Sequence, residues 1–218
     1  MRTTRWFIAG LLAAASLSST ASAQESRCFD NSWFWGVKTG VATFSPTLGG
    51  NETALTYGGD WLITRSRGAL YVAFDQANVS TVSAVLDAGS SNGFRQVSVS
   101  KLNRVGFAAL AFPKRFGRLR PYAGLGLSIE LVGSASPMTG APGDSVDNSV
   151  RDQIDKRRSQ AGVLVMAGLQ AQFERLAVFG QASVIPGQSD FLLGNNALGF
   201  FEAGVRYNFG RSQDMSSR

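Results

Sequence analysis

Ala197–Phe209 reads A-L-G-F-F-E-A-G-V-R-Y-N-F, and taking every second residue splits it into two surfaces. Ala197, Gly199, Phe201, Ala203, Val205, Tyr207 and Phe209 are small or apolar. Leu198, Phe200, Glu202, Gly204, Arg206 and Asn208 include every charge. Side chains alternate across a strand, so one face suits an apolar medium and the other a polar one. The run is longer than the roughly 5–6 residues common in soluble strands. It matches the roughly 9–11 residues a tilted strand needs to cross a bilayer, with some overhang.

The same two-faced pattern recurs upstream. Trp33–Ser45 puts Trp33, Trp35, Val37, Thr39 and Val41 opposite Gly36, Lys38, Gly40 and Ala42. Ala54–Thr64 sets Leu55, Tyr57, Trp61 and Ile63 against Thr56, Gly58, Asp60 and Thr64, and Ala69–Gln76 sets Leu70, Val72 and Phe74 against Tyr71, Ala73 and Asp75. Arg95–Phe112 alternates in its second half, with Val105, Phe107 and Ala109 opposite Arg104, Gly106 and Ala108. Around Lys101–Asn103 the alternation breaks, which reads as a bulge or an extension beyond a membrane. Arg120–Val132, Arg158–Phe173 and Ala177–Ile185 complete the set, with Glu130 on the polar face of the first of these.

The connections alternate in length. Residues 46–52, 77–93, 133–157 and 186–196 form long polar segments, whereas 65–68, 113–119 and 174–176 are tight turns; Val150–Arg158 reads as a short helical turn. Eight sequential hairpin strands with this asymmetry predict an all-β fold, an eight-stranded antiparallel up-and-down transmembrane β-barrel. A soluble up-and-down barrel has the same strand count with apolar residues inside. Periodicity alone leaves both open, but the tryptophans leading one face and the glycine- and charge-rich opposite faces favour an apolar exterior.

The start of the chain predicts export. Arg2 and Arg5, an apolar core from Trp6 to Leu17 and Ala21-Ser22-Ala23 read as a signal peptide over residues 1–23, cleaved after Ala23. Residues 24–32 then form a periplasmic lead, 33–210 the barrel and 211–218 a short polar tail. No further apolar run is long enough for a spanning helix, which leaves a closed barrel as the way to satisfy the backbone in lipid. Cys28 is the single cysteine, so no internal disulfide is expected; it reads as a free thiol. The formal charge of +6 falls to +4 without Arg2 and Arg5, a weak bias concentrated in Lys114-Arg115-Phe116-Gly117-Arg118-Leu119-Arg120. That cluster suits lipid headgroups or a solvated turn and lacks the extended basic face of a nucleic-acid binder.

Two segments resemble a known family. Glu202, Gly204, Tyr207 and Phe209 resemble the C-terminal β-signal of outer-membrane barrels, in which a polar residue and a spaced glycine precede alternate aromatics. With Arg120-Pro121-Tyr122-Ala123-Gly124-Leu125-Gly126 and the strand count, the chain resembles the small OmpA-like and OmpX-like outer-membrane β-barrel family. The resemblance implies residence in the outer membrane, lipids and lipopolysaccharide as surroundings, insertion by the barrel-assembly machinery, and a monomer.

The chemistry available is narrow. The sequence has no histidine, which removes Ser-His-Asp hydrolysis, imidazole acid/base work and His-ligated metal sites. Outer-membrane barrel enzymes rely on histidine, so no catalysis, cofactor or metal is expected. The polar faces carry Lys38, Asp60, Asp75, Arg104, Glu130, Glu202 and Arg206. An eight-stranded lumen is only wide enough for side chains, so these charges are expected to pair as a plug of salt bridges. That favours a structural or surface-interaction barrel, with four loops free to meet a surface partner. The alternative is a narrow pore or an OmpW-like conduit for small or hydrophobic ligands.

Overall fold

In hydrocarbon no water is present to satisfy a backbone edge, so every strand must find two partners. The computed structural model, which describes residues 29–48, 50–90, 92–138, 148–186, 191–193 and 197–211, meets that demand by closure. The elements run β1 (Ser32–Phe44), β2 (Glu52–Thr64), β3 (Gly68–Leu86), β4 (Phe94–Ala111), β5 (Leu119–Pro137), α1 (Asn148–Lys156), β6 (Ser159–Phe173), β7 (Leu176–Ile185) and β8 (Leu198–Arg211). Each strand pairs antiparallel with the next, and β8 returns to β1 with Val205 opposite Val37. The fold is an eight-stranded up-and-down barrel. The signal-peptide and Cys28 readings fall on residues 1–28, outside the described residues, as do residues 212–218.

The barrel is inside-out relative to a soluble one. Leu125, Leu127, Val163, Val165 and Val205 all face outward, Leu127 with 64% of its surface exposed. On β1 and β2 the rings of Trp33 and Trp35 pack on Trp61 at 5.4 and 5.5 Å, at the short-turn end of the wall. Tyr207, opposite Trp35 in the ladder, and Phe209 extend this band across β8. Aromatic rings gathered near one end of an apolar wall fit the level of lipid headgroups.

The short connections are tight. Arg65 N–H donates to the Gly68 carbonyl at 2.7 Å, and Phe116 and Leu119 exchange backbone hydrogen bonds at 2.9 and 3.0 Å. Gly117 lies inside that second turn at φ +61°, a conformation glycine adopts without steric cost.

The long side differs from the sequence reading. Residues 77–86 are not loop: β3 continues to Leu86, hydrogen-bonded along β4, and β5 continues to Pro137. The ladders shift register between Asn78 and Thr81 and around Lys101. Beyond that level Val79, Thr81, Val85, Val97 and Val99 point inward, while Asn78, Ser80, Ser98 and Lys101 point outward. The sense of the alternation has reversed, polar side out, because this part of the wall meets water rather than lipid. Small hydroxyl and amide residues on the wet face made the segment look like a loop. At the hairpin tip Arg95 donates to Asp87 at 2.6 Å, both buried.

The interior is layered. Phe29, Phe34, Leu62, Leu110 and Phe112 fill the short-turn end, with Phe29 edge-on to Phe112 at 4.9 Å. Thr64 donates its hydroxyl to the Phe29 carbonyl and ties that floor to β2. At the far end Val97, Val99, Leu102, Leu198 and Phe200 meet Phe191–Leu193 and the two buried α1 residues, Val150 and Ile154. Between the apolar layers lies a polar belt.

The wall's two outer environments make a paired prediction. Leu127→Arg, at mid-height, should cost about 2–4 kcal/mol of unfolding free energy in lipid vesicles. Ser98→Arg, outward on the extension, should stay within about 0.5 kcal/mol. Urea titration of both variants checks it, and equal costs would mean the extension lies in lipid.

Candidate functional site

The polar belt is built by strand parity: inward positions of all eight strands meet at mid-height. Arg206 on β8 and Asp60 on β2 are both in register with Gly36 on β1, the strand between them. Because Gly36 has no side chain, the guanidinium reaches across it to the carboxylate. A Cβ there would come within 2.5 Å of Asp60 Oδ1 and 2.7 Å of Arg206 Cγ. Arg206 donates through Nε at 2.9 Å and Nη2 at 2.8 Å to the two Asp60 oxygens, the bidentate geometry that suits a guanidinium. Its Nη1 donates to Gln170 Oε1 at 2.9 Å, and its plane stacks 3.6 Å over the Phe179 ring. The side chain is wholly buried.

A second cluster lies on the long-connection side. Lys38 Nζ reaches Asp75 Oδ1 at 2.8 Å and Glu202 Oε1 at 3.0 Å, and donates to the Tyr71 hydroxyl at 3.0 Å. Arg104 donates through Nε to Asp75 at 2.9 Å, through Nη2 to Glu202 at 2.9 Å, and through Nη1 to Ser183 Oγ at 3.1 Å. Its guanidinium also lies 3.8 Å over the Phe200 ring, where the apolar cap begins. Gln181 joins the clusters: its amide donates to Tyr71 and Glu202 at 2.9 Å each, and its oxygen accepts from Tyr122 at 3.0 Å.

Three bases and three acids therefore neutralise one another through direct, buried ion pairs. Such pairs hold only because each partner's remaining donors and lone pairs are also met; removing one member leaves a buried charge. Glu130, the seventh charged residue, is buried but stands apart. Arg104 is its ladder neighbour, yet turns its guanidinium to Asp75 and Glu202. Glu130 accepts a hydrogen bond from Ser128 and, among the described residues, forms no ion pair. The charges also occupy the middle of the lumen rather than its whole length.

Tyr71, Tyr122, Gln170, Gln181 and Ser183 complete the belt and were not singled out by charge. Their parity was readable, since each shares an inward face with a charged residue or its ladder partner. In the sequence Arg120 closes the basic cluster and opens the expected strand Arg120–Val132; it points inward, buried, with its guanidinium 3.9 Å over the Phe29 ring. The residues that resemble a β-signal lie on both sides of β8. Glu202 points into the belt, Gly204 passes close to Lys38 Cβ and Phe179, and Tyr207 and Phe209 pack edge-on outside at 5.1 Å. Among the described residues no cluster of acidic or sulfur side chains is arranged to hold a metal ion.

No family model matches the sequence, and no curated protein matches it. Among solved structures, the fold is similar to the neisserial surface protein A, at 17% identity and TM-score 0.55, covering 81% of this chain and 97% of that one. It is also similar to Ail, the attachment invasion locus protein of Yersinia pestis, at 10% identity and TM-score 0.51, covering 83% and 100%. These similarities are of fold: a closed barrel of the small outer-membrane type.

The difference between Glu202 and Glu130 predicts unequal losses. Glu202→Gln strands Lys38 and Arg104 with one carboxylate and should cost about 3–5 kcal/mol. Glu130→Gln removes a carboxylate that forms no ion pair among the described residues and should cost under about 1 kcal/mol. Unfolding curves in detergent decide between them; equal losses would put a base on Glu130.

Proposed function

We propose that this chain is a non-enzymatic outer-membrane protein, a rigid barrel whose role is structural and whose long-connection face is a surface-interaction platform. The observation that carries the reading is the filled lumen. An apolar floor, a neutral ionic belt and an apolar cap succeed one another, and the gap among Tyr71, Arg104, Leu164 and Met166 admits no water. A scaffold packed in this way favours a structural role over passage of solutes and gives the long-connection side a rigid base. The extension of β3, β4 and β5 supplies the wall of that platform. α1 braces it, with Gln153 donating to the Leu86 carbonyl at 2.9 Å.

Several features support the location. The apolar outer wall needs lipid, and residues 1–23 have the make-up of an export signal. Glu202, Gly204, Tyr207 and Phe209 would present the chain to the barrel-assembly machinery. The proteins of similar fold are named for the cell surface and for attachment, which agrees with a partner met through the loops. The absence of histidine from the sequence, and the six charges of the belt already engaged with one another, speak for a role without catalysis.

Purified barrel reconstituted in planar bilayers should give no sustained single-channel current. Steady currents altered by Arg104→Ala would overturn the scaffold reading in favour of a pore. On intact cells, trypsin should cut after Lys156 or Arg157, beside α1, and leave Arg118 and Arg175 in the short turns uncut. Cleavage of the short turns instead would invert the orientation.

A further inference from the structure

Among the described residues, the larger excess of positive charge stands on one rim. Arg65, Arg67, Lys114, Arg115, Arg118 and Arg175 stand in the three short turns, against two acids at that end among the described residues, Asp30 and Glu174. The opposite rim is more mixed: among the described residues Lys101, Arg151, Lys156, Arg157 and Arg158 share it with Glu52, Asp152 and Asp155, and Arg158 is paired with Asp155. On the turn between β4 and β5, Lys114 Nζ lies 5.5 Å from the Phe116 ring, and Arg118 lies 5.5 Å from the Phe173 ring. Both rings are exposed, so the cations are held against aromatic surface at the edge of the apolar wall.

Next to this turn the wall is hollowed. A groove of about 760 Å³ runs over the outer face of β4 to β7, walled by Ala109, Ala111, Ala123, Ala167 and Ala182, with Leu125 along one side. Ala111 and Ala123 are ladder partners just before and just after the basic turn, so the groove's short-turn end adjoins Lys114 and Arg118. A hydrocarbon trough ending at a cationic, aromatic edge is complementary to an amphiphile with acyl chains and an anionic head. A second copy of the barrel in the same bilayer would bring an identical basic rim against this one, and like charges oppose that contact.

We propose that this face binds an anionic glycerophospholipid of the leaflet on the short-turn side. Lys114, Arg115 and Arg118 hold its phosphate, and its acyl chains fill the alanine-walled groove. Basic side chains at a membrane surface attract anionic lipid additively, and long Lys and Arg stems reach the headgroup level from an apolar wall. The inference needs only that the barrel lies in a bilayer; a platform that binds no surface partner leaves it standing.

Native mass spectrometry of the full chain tests it. The chain is refolded in detergent and equilibrated with equal amounts of phosphatidylglycerol and phosphatidylcholine carrying identical acyl chains. The unaltered barrel should retain phosphatidylglycerol about tenfold over phosphatidylcholine. Lys114→Gln with Arg118→Gln should bring that ratio to about one, while the protein keeps the heat-modifiable gel shift of a folded barrel. Ala123→Leu, which fills the groove with a residue lipid tolerates, should lower retention of both lipids and leave the ratio unchanged. A ratio near one for the unaltered barrel overturns the proposal, as does a ratio that survives the double substitution. An equal loss in the opposite-rim control, Arg151→Gln with Lys156→Gln, would move the binding to the other leaflet and overturn it as well.

Discussion

A guanidinium removed from water keeps its charge only where other groups replace its hydration, and Arg206 is completely removed. Everything at mid-height follows from supplying that replacement. Asp60 neutralises it, Gln170 takes a further donor, and Phe179 covers its plane. Gly36 gives up its side chain so that two strands separated by a third can share one ion pair. Gly58, in register with both Lys38 and Asp75, leaves room in the same way for the second cluster. The inward glycines are thus the complement of the charges: eight strands enclose little space, and each large polar side chain needs a neighbour without one.

The two apolar layers make this belt tenable. Water entering from either end would solvate the charges and weaken their mutual attraction, since Coulomb energies fall as the local dielectric rises. The floor around Phe29 and the cap around Phe200 and Leu198 exclude it. The arrangement is a sandwich of apolar, ionic and apolar packing inside a wall that is itself apolar outside. A lumen filled in this manner stiffens the barrel, and the proposed platform on β3, β4, β5 and α1 gains a fixed base.

How much of this could be read from the residues depends on where a residue stands along the wall. Within the membrane span, lipid outside and polar groups inside give alternation of one sense, so the eight strands and the inward parity of Lys38, Asp60 and Arg206 were legible. Above the register shift at Asn78 and Lys101, water replaces lipid, and Val79, Val85, Val97 and Val99 become the inner face. The period of two persists with its meaning inverted, and small polar residues hid it as a loop. Pairing was less legible still. Arg104 has an acid opposite it on each side, Asp75 on β3 and Glu130 on β5; it pairs with Asp75 along the sheet and reaches Glu202 across the lumen, a choice that strand parity does not reveal. Arg120 differs from the rest of its basic cluster because Lys114, Arg115 and Arg118 are exposed or half-exposed in the turn, while the strand starting at Leu119 turns Arg120 inward.

The last strand ties this interior to closure of the barrel. Glu202 and Arg206 both belong to β8, and each is the partner of residues on the first half of the chain: Lys38, Asp60, Asp75 by way of their shared bases, and Arg104. Until β8 pairs with β1, Lys38 and Arg104 have one carboxylate between them in Asp75, Asp60 lacks its base, and Arg206 lacks its acid. Leaving such groups unpaired in a dry interior costs several kcal/mol each, so an open, lipid-inserted barrel with the belt already packed is disfavoured. The ladder between β1 and β8 and the ionic belt therefore form together. Backbone closure removes the two free edges, and charge closure removes the unpaired groups. The terminal segment whose alternation first suggested a membrane strand is also the one whose two inward charges complete the core.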